Sequence, residues 1–490
     1  GSEMCIRDRL GATRAGVTGE APSDVLWHYN LSARHLDKLC ERVDTFSVSG
    51  DGERLVVRHR DDTIVVPSSH KVDDDDPAYI RVDLTRLRRT VNPRAEWRQM
   101  FDENGRLMAS HYWREDMNGV DWDGVLNRYR PLVDLCHVVD DLHDILWETV
   151  AELNTSHSYV SASGAAGDSD MRAGLLGADV SSGNDGAKVV RVIPGESSDP
   201  RAWSPLRAAG VAVTEGDVIV AVDGRKVGAD GNLGELLEGS AGRVVELTVR
   251  RGENERQVAV VPMADEAPLR YHDWVASRRR YVEEHSGGRL GYLHVPDMVS
   301  DGWAELHRQI GEATRHEGVI ADVRFNHGGH TSQLVVERLA RRVVGWDYSR
   351  WYATADTYPQ NAVRGPIVMV TNQWAGSDGD IVAAATQAMG YAKVIGERSW
   401  GGVVGIDGRF DLVDGTSVTQ PRYAGWYGSY GWGVENHGVD PDIVVTVSPE
   451  DWEADRDVQL DAAIAECLRQ LDDKPAATAP ELPGPAFDRC

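Results

Sequence analysis

Ser377 stands in the stretch Asn372-Gln373-Trp374-Ala375-Gly376-Ser377-Asp378-Gly379-Asp380, with small residues on its N-terminal side and a glycine two positions on. The preceding run PIVMV (366–370) has the unbroken apolar character of a parallel strand buried on both faces, and IVAAATQAMG (381–390) predicts the helix it feeds. A serine on a tight strand-to-helix turn exposes its hydroxyl. The next backbone N–H, that of Asp378, is then free to stabilise an oxyanion. This is the layout of a nucleophile, and the competing reading of the same residues is a serine that caps an ordinary helix.

A hydroxyl nucleophile needs a base within hydrogen-bond reach and a group to orient that base. Of sixteen histidines, His157 in Glu152-Leu153-Asn154-Thr155-Ser156-His157-Ser158-Tyr159 has the most suggestive context. It lies just past a helical pattern and before a small-residue stretch, and its neighbour Ser156 can relay a hydrogen bond to a carboxylate. Read without its surroundings, the same His157 is a loop histidine exposed to solvent.

The elements that must position these groups follow from patterning. Residues 43–67 alternate as three short strands with Gly-Asp and Asp-Asp turns, the pattern of a single sheet blade that cannot bury its own faces. The chain is therefore expected to begin inside a larger repeat domain such as a β-propeller, with residues 1–70 an artefactual start plus the blade remnant. A helical domain is expected over 71–165, opening on the acidic run Asp73 to Asp76. It contains one helical pattern around Trp97 and a longer one from Pro131 to Leu153, with Leu132, Leu135, Val139, Leu142, Leu146 and Val150 at helical spacing. The stretch SASGAAGDSD (161–170) reads as a linker or mobile loop.

Within 166–265, the runs GLLGADV, KVVRVIPG, SPLRAAGVAVTEGDVIVAVDGRKV and VVELTVRRG resemble a PDZ domain, a fold whose exposed sheet edge accepts an extended peptide as an added strand. After an Arg-rich helical connector (273–284), strands and helices alternate to residue 472: GYLHVPDM, GVIADVRF, a helix from Ser332 to Val343, the segment around Ser377, and AKVIGERSWGG. This predicts an open α/β sheet with its site beyond the carboxyl ends of the strands. The Pro/Ala-rich residues 473–490 are expected to be disordered.

Four separated stretches, NTSH at Asn154, DVRFNHGGHTSQL at Asp322, NQWAGSDGD at Asn372 and VENHGVDPD at Val434, stand in this order around the PDZ-like block. Together they resemble the C-terminal half of the tricorn protease family, over about Val43 to Leu471. The resemblance implies a multidomain α+β and α/β chain: a blade remnant of absent N-terminal propellers, a helical domain, a PDZ-like domain and a ClpP/crotonase-like catalytic domain. It implies a Ser-His-Ser-Glu tetrad of Ser377 as nucleophile, His157 as base and acid, Ser156 as relay and Glu435 as the buried carboxylate. It further implies an oxyanion hole from the N–H groups of Gly329 and Asp378, with Asp347 reaching the primary specificity pocket of a neighbouring subunit. The stretch from Asp347 to Ser377 is one residue longer than the family pattern. Short oligopeptides, including products of upstream ATP-dependent proteases, are the implied substrates, a homo-hexameric ring the implied assembly, and no metal or organic cofactor is implied. The loop NHGGH departs from the family's NGGGF, placing His327 and His330 where a glycine and an aromatic residue are usual.

Composition sets outer limits. At 490 residues the chain is too long for one core, and a net charge of −26 argues against nucleic acid as a partner. No run approaches the length of a membrane-spanning segment. Five scattered cysteines, Cys5, Cys40, Cys136, Cys467 and Cys490, show no CxxC spacing, which excludes a zinc framework and fits a reducing, cytoplasmic location. Two alternatives compete with the tetrad. One is a C-terminal processing-type peptidase with a Ser-Lys dyad, although 395–402 has no lysine and Lys393 lies upstream in a strand; the other is a non-catalytic PDZ scaffold.

Overall fold

A computed structural model describes residues 24–59, 62–88, 90–162, 171–228 and 232–482. The start before residue 24, most of the small-residue stretch (163–170), the Asp61 side of the expected Asp-Asp turn, and residues 483–490 lie outside the described residues. The chain divides into two compact units, Gly1–Asn92 and Pro93–Cys490.

In the first unit, Val25–Asn30 and His35–Glu41 form an antiparallel hairpin. Thr45–Val48, Arg54–His59, Asp62–Pro67 and Ile80–Val82 form a four-stranded antiparallel sheet in sequence order, one strand more than the alternation predicted. Period-two alternation puts Leu55 and Val57 inside, against Leu26, Leu39, Val43, Ile64 and Val66.

The second unit opens with helices Pro93–His111, Trp122–Val133 and Val139–Ala151. The single helix expected from Pro131 to Leu153 is broken. Pro131, in the last turn of the second helix, cannot donate an N–H. The Asp141 carboxylate accepts from the N–H groups of His137 (2.7 Å) and Val138 (3.1 Å) and so starts a new helix. Leu132 and Leu135 accordingly face solvent, whereas Leu142, Leu146 and Val150 are fully buried.

The PDZ-like block is an antiparallel sheet in the order Asn254–Val260, Val245–Arg251, Val218–Val222, Gly186–Val192, Ala178–Gly183. Helix Ala267–His285 then leads to a five-stranded parallel sheet ordered Leu290–His294, Gly318–Asp322, Ile367–Thr371, Ala392–Gly396, Ile443–Val444. Its first three strands are buried at every residue. Alternate side chains serve opposite faces: Val319, Ala321, Ile367 and Met369 pack with helices Ser300–Ala313, Ser332–Leu339 and Asp378–Met389, whereas Ile320, Val368 and Val370 pack with Ala267–His285 and Val458–Asp473. The helix expected to run to Val343 ends at Leu339, and Arg342 instead bridges to Val363.

The expectation of disorder from 473 is corrected for residues 474–482. Ala477 donates its N–H to the Arg364 carbonyl at 2.8 Å, Ala476 packs on the core, and the Tyr348 hydroxyl donates to the Pro480 carbonyl.

Candidate active site

The strand Ile367–Thr371 and the helix Asp378–Met389 meet at Ser377, whose backbone stands at φ +57°, ψ −121°. A non-glycine residue rarely adopts positive φ, and such strain persists only where neighbours hold it. Here the Asn326 carbonyl accepts from the Gly376 N–H at 3.0 Å, and the Gly376 carbonyl accepts from Gly379 at 2.8 Å. The Ser377 side chain makes no capping bond to its helix, so the capping role that sequence allowed is not the one it plays.

Against this elbow lies the glycine loop. Met298 and Gly329 form a parallel bridge, with the Met298 N–H donating to the Gly328 carbonyl at 2.7 Å. Gly328 has φ +77°, and a Cβ there would stand 2.5 Å from the Ser377 Cβ; at Gly329, φ +145°, it would stand 2.1 Å from the Met298 carbonyl oxygen. Both glycines are thus required by contact as well as by conformation. Among the described residues neither the Gly329 nor the Asp378 N–H has a protein acceptor. His327 lines the cavity at Ser377, the His330 N–H donates to the Met298 carbonyl at 2.8 Å, and burial raises the Asp378 carboxyl pKa against the pull of the Ser332 N–H, which donates to its Oδ2 at 3.1 Å.

His157 arrives from the helical part of the chain. Helix Val139–Ala151 ends before a turn in which Asn154 adopts φ +48° and its carbonyl accepts from the Asn436 side chain at 2.7 Å. Ser156 Oγ and His157 Nδ1 are 2.9 Å apart. The buried ring meets Tyr159 and Trp400 edge-on, at centroid distances of 5.7 and 5.5 Å. Burial lowers the His157 pKa below the ordinary imidazole value, while the Glu435 charge partly offsets this.

Glu435 differs in detail from its expected place. It is half-buried rather than buried. Its Oε1 accepts from the backbone N–H of Ser156 at 2.8 Å, not from the hydroxyl, and its Oε2 accepts from the N–H groups of Val403 (2.7 Å) and Val404 (3.0 Å). A backbone amide is a donor only, so this bond is available whatever the hydroxyl does, and the Ser156 hydroxyl is left for the imidazole.

The elements bring Ser377, His157, His327, Trp374, Gly376 and Trp400 around one cavity of about 210 Å³. Asp347 is not among its lining residues. It is exposed on the hairpin Gly345–Asp347/Asp356–Tyr358, opposite Asp356. Lys393, the dyad alternative, is exposed and paired with Asp442 at 3.3 Å. Sequence reasoning missed Asp380, a fully buried carboxylate whose pKa is pushed up to about 6 by burial, against the pull of donors from Ser399, Gly401 and Gly402. Its position three residues after Ser377, where a capping box places its acid, was the available signal.

Residues 93–151 match the Tricorn protease C1 domain, 174–265 the Tricorn protease PDZ domain, and 289–445 Peptidase family S41. Tricorn protease homolog 1 of Streptomyces coelicolor is 56% identical over 479 residues, which is 97% of this chain and 45% of that protein. The chain belongs to the tricorn protease family. Tricorn protease of Thermoplasma acidophilum is 34% identical over 462 residues, covering 94% of this chain and 43% of that protein. The fold agrees with the crystal structure of the tricorn protease at a TM-score of 0.84 and 33% identity, over 93% of this chain and 44% of that one. This member of the tricorn family therefore spans less than half the length of these relatives. No helix among its described residues is long and apolar enough to cross a membrane.

Proposed function

We propose that this chain is the catalytic part of a tricorn-type serine peptidase that hydrolyses peptide bonds in short oligopeptides through an acyl-enzyme. The observation that carries this reading is the Ser377 hydroxyl, unspent on its own helix and facing one small cavity with a buried imidazole whose Nδ1 is already engaged. That engagement leaves Nε2 to take the Ser377 proton as Oγ attacks the scissile carbonyl. The N–H groups of Gly329 and Asp378 receive the oxyanion. The imidazolium then protonates the leaving amine, and a water activated by the same nitrogen releases the acyl group. Glu435, gripped by three backbone amides, holds negative charge beside the Ser156–His157 pair, which favours the imidazolium as it forms.

Asp347 supplies the carboxylate of a neighbouring subunit's specificity pocket in a homo-hexameric ring, which agrees with its exposure and with its absence from the lining of its own chain's cavity. Products of upstream ATP-dependent proteases are among the substrates, and the cytoplasm is the location. The sheet Thr45–Val48 to Ile80–Val82 is the remnant of a propeller blade, and the parallel sheet is of ClpP/crotonase-like type. A fluorophosphonate probe tests the core of this reading. Wild type is expected to label, and Ser377→Ala and His157→Ala are expected not to; labelling that survives either substitution overturns it.

A further inference from the structure

The elbow and the base come from distant parts of the chain, and one loop touches both. In residues 399–404, Trp400 donates its N–H to the Ala375 carbonyl at 2.9 Å and lays its ring against His157. A Cβ at Gly402 would stand 2.9 Å from Ser156 Oγ, and Val403 and Val404 hold Glu435. The same loop is fastened to the elbow by one fully buried side chain, Asp380. Its Oδ1 accepts from the Ser399 hydroxyl and from the Gly401 N–H at 2.8 Å, and its Oδ2 from the Gly402 N–H at 3.2 Å.

A carboxylate buried without a cation is costly, and it is retained only where several donors satisfy it. Here all three donors come from the loop that walls in the base, while the carboxylate itself stands three residues after Ser377 on the helix that the elbow opens. We propose that Asp380 is a positioning residue that holds the Ser377 elbow in register with residues 399–404 and, through that loop, with His157 and Glu435. This rests on the reading of Ser377 and His157 as nucleophile and base. Asparagine at 380 keeps the shape but turns an NH₂ group toward at least one N–H donor, loosening the clamp without leaving a hole.

The test compares wild type with Asp380→Asn. Misplacement of a reacting group by about 1 Å costs on the order of 10²-fold, so kcat and the rate constant for fluorophosphonate labelling are expected to fall by about that factor, with KM changed less than about threefold. A second readout is independent of activity. In a Ser377→Ala background, the NMR titration of the His157 imidazole is expected to move up toward the ordinary value in Asp380→Asn, because its packing with Trp400 loosens. Labelling and kcat within about twofold of wild type overturn the proposal, as does an effect confined to KM or an unmoved His157 titration. Should wild type fail to label, the catalytic reading falls, and the His157 titration still decides whether Asp380 positions the base. If Asp380→Asn does not fold, Ser399→Ala removes one of the loop's donors, and unchanged values for it by the same measures overturn the proposal.

Discussion

The backbone at Ser377 explains why this serine, among many, is set apart. Positive φ at a side-chain-bearing residue costs about 1–3 kcal/mol, and the Asn326 and Gly376 contacts maintain it at a serine that lines the cavity and makes no capping bond to its helix. Ser377→Ala is expected to leave the fold intact and to lower peptide hydrolysis by roughly 10⁴-fold or more, measured as kcat on fluorogenic peptides with the melting temperature as control. The base carries its own signature. Burial lowers the His157 pKa, and the proposed mechanism needs the neutral ring, so activity is expected to be lost as pH falls through that lowered value and not before. The acid limb of kcat/KM is therefore expected below the unperturbed imidazole value of ~6.5. A limb at or above it would mean that the titrating group is not this buried ring.

At the scale of elements, the site is an agreement between a strand-to-helix elbow, a glycine loop and a helix end. Gly328 is where two of these touch, since an added Cβ would lie 2.5 Å from the Ser377 Cβ and 3.0 Å from its Oγ. Gly328→Ala is expected to lower kcat on the order of 10²-fold by displacing the nucleophile, with a well-folded protein by circular dichroism. Helix Val139–Ala151 delivers His157 only if its buried face is seated. Leu146→Ala opens a hole at a fully buried position and is expected to cost about 2–5 kcal/mol in chemical denaturation. Leu135→Ala, at a position that shares the helical spacing in sequence, should cost little, because Pro131 and Asp141 break the helix and leave Leu135 exposed. Equal losses for the two leucines would contradict the broken helix.

For the whole molecule, the proposed assembly makes a concentration-dependent prediction. In that proposed assembly a carboxylate from a neighbouring chain would draw Lys or Arg into the specificity pocket, while apolar walls would still admit Leu or Phe. Asp347→Ala is expected to shift the ratio of kcat/KM for Arg and Leu peptides toward Leu by about 1–3 kcal/mol, and dilution of wild type below its assembly threshold should shift it the same way. An unchanged ratio in the mutant removes Asp347 from that role.

Sequence alone determined what is local. Unbroken apolar runs define strands buried on both faces, a serine after one of them and before a helix defines the elbow, and Gly328-Gly329 marks a close backbone approach. Short-range sterics and burial dictate these, so the residues that obey them lie side by side in the chain. The four motifs around the PDZ-like block pointed to partners for Ser377, but which atoms meet was settled only in three dimensions. Glu435 takes the Ser156 amide and leaves the hydroxyl to His157, since a carboxylate satisfied by Val403 and Val404 has already been fixed in place by a third segment. Asp380 is an acid in a helix's first turn until Ser399, Gly401 and Gly402 close over it. Hydrogen bonds between residues far apart in the chain leave no periodic trace in sequence, and only packing of the elements decides which donors each buried carboxylate receives.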